Sequence, residues 1–70
     1  MILVIGNENC SRCEITKKLL TDKNIKFDYK LFSSLDNQLE VRKMAMSKGM
    51  ASFPLIMKDG ELVELSEVLG

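Results

Sequence analysis

The two thiols of this chain stand three residues apart in Cys10-Ser11-Arg12-Cys13, and the sequence contains no histidine. If this segment opens a helix, sulfurs at i and i+3 face the same way and can reach disulfide geometry with little backbone movement. The pair can then cycle between dithiol and disulfide. As a structural staple it would achieve little, because loop-closure entropy is small for so short a loop. Unsatisfied backbone N–H groups and the positive end of the helix dipole favour a thiolate at Cys10. A thiol so placed falls from about 8.5 to roughly 3.5–7.5, whereas Cys13, deeper in the helix, stays protonated longer. Cys10 is therefore the candidate nucleophile and Cys13 the resolving thiol, which attacks the Cys10 sulfur to release a reduced substrate. Arg12 favours the Cys10 thiolate while Glu8 and Glu14 oppose it, and sequence alone does not fix the sign of the sum. Without histidine, His-based acid–base catalysis and His-ligated metal sites are excluded, and a structural zinc site would need two more ligands.

Residues 1–70 form one domain, since 70 residues must share a single core. Ile2-Leu3-Val4-Ile5 is an apolar run without alternation, the mark of a strand covered on both faces, ended by Gly6-Asn7. From Ser11 to about Lys23 the residues favour helix, with Ile15, Leu19 and Leu20 as its apolar stripe, Lys17 and Lys18 facing away, and Glu14 four before Lys18. Ile25, Phe27, Tyr29 and Leu31 alternate with Lys26, Asp28 and Lys30, which predicts a peripheral strand with one wet face. Ser33-Ser34-Leu35-Asp36 resembles a capping box for a second helix running to Lys48, with Gly49 as its left-handed cap and Val41, Met44 and Ala45 on one face. Leu55-Ile56-Met57 and Glu61 to Leu65 flank an Asp59-Gly60 hairpin turn, and Ser66 to Gly70 suffices for one helical turn. The order is β-α-β-α-β-β, an α/β fold with a four-stranded mixed sheet and a truncated C-terminal helix. It resembles the thioredoxin-like core reduced to its minimum.

Ten basic and ten acidic residues cancel, so no electrostatic footprint for nucleic acid is present. The longest apolar run, Met1 to Ile5, is too short for a membrane span or a secretory signal, and the expected address is the cytoplasm. Pro54, after Phe53, reads either as a strand-entry residue or as a cis-proline in a tight turn beside the dithiol; the latter would aim the Phe53 N–H and C=O at an extended substrate. Met44, Met46 and Met50 look like a thioether copper box, but methionines at helical spacing are gap-fillers in small cores. Phe27 and Tyr29 are expected to pack in the core.

The pattern β-CxxC-α-β-α-Pro-β-DG-β, over essentially the whole chain, resembles glutaredoxins and the similar NrdH-type redoxins. The resemblance implies a thiol–disulfide oxidoreductase acting on protein or glutathione mixed disulfides through Cys10 and Cys13, and a cis-proline segment at Ser52-Phe53-Pro54. It also implies substrate contacts at Ser11 and Arg12, and at Ser66 and Glu67, which match the Ser/Asp-Asp pair that holds a γ-glutamyl end. Ser11-Arg12 replace the common Pro-Tyr, no lysine stands a few residues before Cys10, and Glu64-Leu65 replace a Gly-Gly pair. The expected protein is a monomer without a tightly bound cofactor, reduced by glutathione or a thioredoxin reductase, with ribonucleotide reductase as a candidate electron acceptor. The rival reading is a small metal-binding module using the same cysteines. Copper chaperones also carry Cys-x-x-Cys after their first strand, but in the order β-α-β-β-α-β, which needs a strand within Ser33–Lys48. Iron–sulfur coordination between two subunits is a second form of it.

Overall fold

The computed structural model describes residues 1–50 and 52–70. Strand β1 is Ile2–Gly6 and helix α1 is Ser11–Asp22, followed by strand β2, Asp28–Leu31. A 3-10 turn at Phe32–Ser34 leads to helix α2, Gln38–Ser47. Strands β3, Leu55–Lys58, and β4, Glu61–Val63, form the hairpin before the short helix α3, Leu65–Leu69. The sheet order is β2-β1-β3-β4. β1 pairs in parallel with β2 and antiparallel with β3, so the run that lacked alternation is indeed an inner strand.

The sheet is covered on both faces, and alternation along its strands sorts the core accordingly. Ile5, Leu55 and Leu62 pack with Val41 and Ala45 of α2, joined by half-buried Met44. On the other face Val4 and Ile56 meet Leu20 of α1, with Tyr29, Leu65 and Val68 against them. At the hairpin, Lys58 pairs with Glu61 across two residues whose φ values are 52° at Asp59 and 87° at Gly60. Both central residues being left-handed is what a two-residue primed turn requires, and the Asp-Gly pair supplies it.

Several expected boundaries shift, each for a local reason. The peripheral strand begins at Asp28 instead of Ile25 because Asn24, at φ 58°, and Ile25 close the end of α1. The Ile25 N–H bonds to Leu20 O at 2.9 Å and the Asn24 N–H to Thr21 O at 3.0 Å, the two bonds of a Schellman cap. The same motif ends α2, where Gly49, at φ 68°, bonds to Met46 O and Met50 to Ala45 O. The capping box at Ser33 does not form: Phe32–Ser34 is a 3-10 turn that directs Phe32 and Leu35 at the core, and α2 starts at Gln38 after Asn37. Leu65 belongs to α3 instead of extending β4.

The inward face of α1 also differs from the expected stripe. Cys13, Thr16 and Leu20 are its buried residues, while Ile15 is 59% exposed. Residues 13, 16, 17 and 20 follow the helical i, i+3, i+4, i+7 series, so the cysteine itself is part of the apolar face. Lys17 consequently turns inward over Tyr29, and its ion pair is with Glu14 at 3.0 Å, an i,i+3 pair in place of the expected i,i+4 pair of Glu14 with Lys18.

Candidate active site

The loop Asn7–Cys10 carries the chain from the C-terminal end of β1 to the start of α1, and this puts Cys10 at the helix N-cap. Cys10 has extended backbone angles, φ −105° and ψ 106°, as an N-cap residue requires, and its sulfur accepts a hydrogen bond from the Cys13 N–H at 3.2 Å. The thiol thus replaces the usual hydroxyl or carboxylate cap and satisfies one of the orphan donors of the first turn. Both cysteines are free; Cys10 is partly exposed and Cys13 fully buried.

This placement pushes the two thiols apart in acidity. Cys10 lies below its ordinary value, chiefly because the Cys13 thiol donates to it; burial opposes this, and the N–H groups of Cys13 and Arg12 and then the Arg12 charge add to the lowering. Cys13 lies above its ordinary value, first because it is buried and next because its proton is held by Cys10; the Asn7 N–H and the Tyr29 hydroxyl pull the other way. The balance that the charges of Arg12, Glu8 and Glu14 left open is therefore decided mainly by hydrogen bonds, with the guanidinium a smaller contributor. Such a pair can offer one thiolate to a disulfide while keeping the other in reserve.

Ser52-Phe53-Pro54 enters β3 at Leu55, which pairs with Ile5 near the end of β1, so it sits at the same edge of the sheet as the dithiol loop. The Phe53–Pro54 peptide is cis. Arg12, Ser52, Phe53 and Pro54 line one cleft together with Ile15, Thr16, Ile56 and Leu65. Phe53 is braced from behind by Phe32, ring centroids 5.6 Å apart in an edge-on arrangement. Ser11 lies instead with Cys10 in a second cleft, which Asn7, Glu8, Glu14 and Tyr29 also line. Ser66 and Glu67 are exposed on α3 and line neither of these clefts.

A chain with this dithiol at a strand–helix junction and a cis-proline strand beside it has known counterparts. No protein-family model matches it. It is 32% identical over 59 residues to the glutaredoxin-like protein NrdH of Lactococcus lactis, covering 84% of this chain and 78% of that one. The chain belongs to the glutaredoxin/NrdH-type redoxin family. That family consists of thiol–disulfide oxidoreductases with a thioredoxin-like fold. The fold also matches the buckwheat glutaredoxin solved with glutathione, with a TM-score of 0.70 at 14% identity over 97% of this redoxin and 64% of the buckwheat chain. It matches methanoredoxin of Methanosarcina acetivorans with a TM-score of 0.66 at 24% identity over 96% and 78% of the two chains. The redoxin thus spans slightly less than two thirds of the buckwheat protein.

Sequence reasoning passed over three groups at this site. Periodicity places Tyr29 in the core, Lys17 on the solvated face of α1, and Asn7 at the end of a strand. All three act on Cys13 or lie beside it. Counting Cys13 as an apolar residue would have phased α1 correctly and placed Lys17, one turn on, above it. Gly6 also has a role beyond ending a strand: it lies within β1 opposite Leu31, and the Tyr29 hydroxyl fills the space that a side chain there would need.

Proposed function

We propose that this redoxin reduces disulfides in protein substrates, or mixed disulfides with glutathione, with Cys10 as nucleophile and Cys13 as resolving thiol. The observation that carries this reading is the position of the Cys10 sulfur, at the head of α1 and accepting from the Cys13 N–H at 3.2 Å. The Cys10 thiolate attacks one sulfur of the substrate disulfide, forming a mixed disulfide and expelling the other sulfur as a thiolate. Cys13 then loses its proton and attacks the Cys10 sulfur, so the second substrate sulfur leaves and the two electrons of the dithiol have passed to the substrate. The cleft along Phe53 and Pro54 supports docking of an extended segment through backbone hydrogen bonds, a mode that tolerates varied side chains. Ser11, Arg12 and Ser52 border the path of the substrate, and Ser66 and Glu67 are the residues toward which a γ-glutamyl end would reach.

The NrdH-type relative from Lactococcus lactis supports a place for the chain among redoxins of that type; that ribonucleotide reductase is the acceptor, and that the chain acts as a monomer in the cytoplasm, are further parts of the proposal. No helix among the described residues is long and apolar enough to cross a membrane. Glutathione, present in the buckwheat structure, and a thioredoxin reductase are the two candidate reductants. No tightly bound cofactor is required by this chemistry. The metal-binding alternative is less well supported: α2 occupies the stretch where a copper-chaperone order needs a strand.

The test is covalent trapping. Cys13→Ser, mixed with a protein disulfide, is expected to accumulate a reducible adduct through Cys10; trapping that occurs only when Cys10 is replaced and Cys13 kept would reverse the two roles. Turnover of the unmodified protein, coupled in parallel to glutathione and to NADPH with thioredoxin reductase, then separates the two electron sources.

A further inference from the structure

Two large apolar side chains of α1 stay outside the core. Ile15 is 59% exposed and Leu19 37% exposed, one helical turn apart on the same flank. Exposed apolar residues are ordinary when scattered, but Ile15 is not isolated. It walls the cleft that Pro54 and Leu65 also line, so apolar surface continues from the cis-proline strand onto the outside of the helix. Two polar groups share this cleft. Thr16 lines it and is only 4% exposed, and its hydroxyl makes no hydrogen bond among the described residues. Arg12 is the one charged residue of the lining, and its guanidinium has no ion-pair partner among the described residues. A free hydroxyl on the floor suits a peptide N–H or C=O, the apolar walls suit an aliphatic side chain, and the guanidinium suits a carboxylate. Together these groups fit an extended protein segment better than a small neutral disulfide.

The spacing sets which side chain is read. Along α1, Ile15 lies roughly 7 Å beyond Cys10 at the usual helical rise. In an extended segment two residues span roughly 7 Å, and their side chains share one face. A substrate cysteine at the Cys10 sulfur therefore presents its second neighbour to Ile15 and turns its first neighbour away. We propose that Ile15 is a specificity-determining residue: with Pro54 and Leu65 it selects protein disulfides whose reacting cysteine has an apolar side chain two residues away on an extended segment, with an acidic residue nearby for Arg12. The proposal rests on the reading of Cys10 as the nucleophile and of this cleft as the docking path. In the step, the Cys10 thiolate attacks the substrate cysteine sulfur and bonds to it. The other sulfur of the substrate disulfide leaves as a thiolate, carrying the electron pair of the broken bond.

The experiment uses end-blocked peptides of the pattern Leu-Gly-Cys-Gly-Leu, with the cysteine joined by a disulfide to 2-nitro-5-thiobenzoate, whose release is followed by absorbance. Companion peptides carry serine in place of both leucines, move the leucines next to the cysteine, or add a terminal glutamate. Rate ratios between peptides are read within each protein variant, so any change in the Cys10 thiol itself cancels. In the unmodified protein, leucine over serine at the second position is expected to give about tenfold, the effect of burying roughly half a leucine side chain. Leucine next to the cysteine should give a ratio near one. Ile15→Ser, at an exposed position that leaves the core intact, should lower the tenfold ratio to about twofold, and Ile15→Leu should keep it. The added glutamate should raise the rate about threefold at low salt and lose this effect in Arg12→Gln. A leucine ratio near one in the unmodified protein, a ratio unchanged in Ile15→Ser, or a glutamate effect unchanged in Arg12→Gln overturns the proposal. So does a dimer in size-exclusion chromatography that Ile15→Ser disperses, because a second copy would then cover this face. Release from none of the peptides overturns the underlying reading of Cys10 as nucleophile, and is recognisable as a separate failure.

Discussion

Cys10→Ser is expected to lose disulfide-reductase activity by a factor on the order of a thousand or more, the scale seen when an enzyme nucleophile is removed. Cys13 cannot stand in for it. Its sulfur is fully buried on the inner face of α1, so a substrate disulfide cannot approach, and burial keeps it protonated. Cys13→Ser should behave differently in kind: the first attack survives and turnover stalls at the mixed disulfide. A single-turnover measurement of the substrate thiol released, run on both variants, distinguishes the loss of a nucleophile from the loss of a resolving group: Cys13→Ser gives a stoichiometric burst and Cys10→Ser none. Equal bursts from the two single variants would mean that the cysteines are interchangeable, contrary to their different surroundings.

The second large effect concerns the helix that carries the dithiol. Leu20 is 0% exposed and joins α1 to Val4 and Ile56 of the central strands. Leu20→Ala removes this anchor and leaves a cavity, at a cost of about 2–5 kcal/mol. A domain of 70 residues has a total stability of about 4–10 kcal/mol by the usual per-residue range. The variant is therefore expected to lose a large part of its stability, with Tm falling by at least about 8 °C. Leu39→Ala, at a residue 66% exposed on α2, should stay within about 0.5 kcal/mol. Thermal and urea unfolding followed by circular dichroism measure both, and similar losses in the two would contradict the assignment of the buried face.

The contrast between Leu20 and Ile15 shows what the sequence made legible. Patterns involving many residues carried over well: the unbroken apolar run became an inner strand, the Asp59-Gly60 pair became the turn of a hairpin, and Gly49 took the left-handed cap. The thiol spacing located the site because a helix start imposes its own electrostatics on whatever residue caps it. What sequence hid depended on phase and on distant partners. A stripe of Ile15, Leu19 and Leu20 is plausible on hydrophobicity alone, yet packing selected Cys13, Thr16 and Leu20. The start of α2 differs from expectation because Ser33 has the composition of a cap, while Phe32 and Leu35 turn into the core. Tyr29 could not be placed over Gly6 without the parallel register that sets it opposite Val4, two residues from Gly6 and on the same face.

The account depends on Cys10 being the more acidic thiol and on Cys13 being held protonated; the first follows chiefly from the Cys10 sulfur accepting from the Cys13 thiol, and the second chiefly from the burial of Cys13. The sign of the linkage follows. A Cys10 acidity constant depressed by folding adds stability to the reduced protein that is present above the value of a free thiol and is lost as pH falls through the folded value. The raised constant of Cys13 acts oppositely, withdrawing stability as pH climbs from the free-thiol value through the folded one. The most direct measurement is the pH dependence of iodoacetamide alkylation, read separately at each cysteine by peptide mass spectrometry in the reduced, unmodified protein. Cys10 should reach its half-maximal rate below about pH 8.5, the value for a free thiol, with Cys13 still unreactive there. Two cysteines titrating together at the free-thiol value would contradict the account.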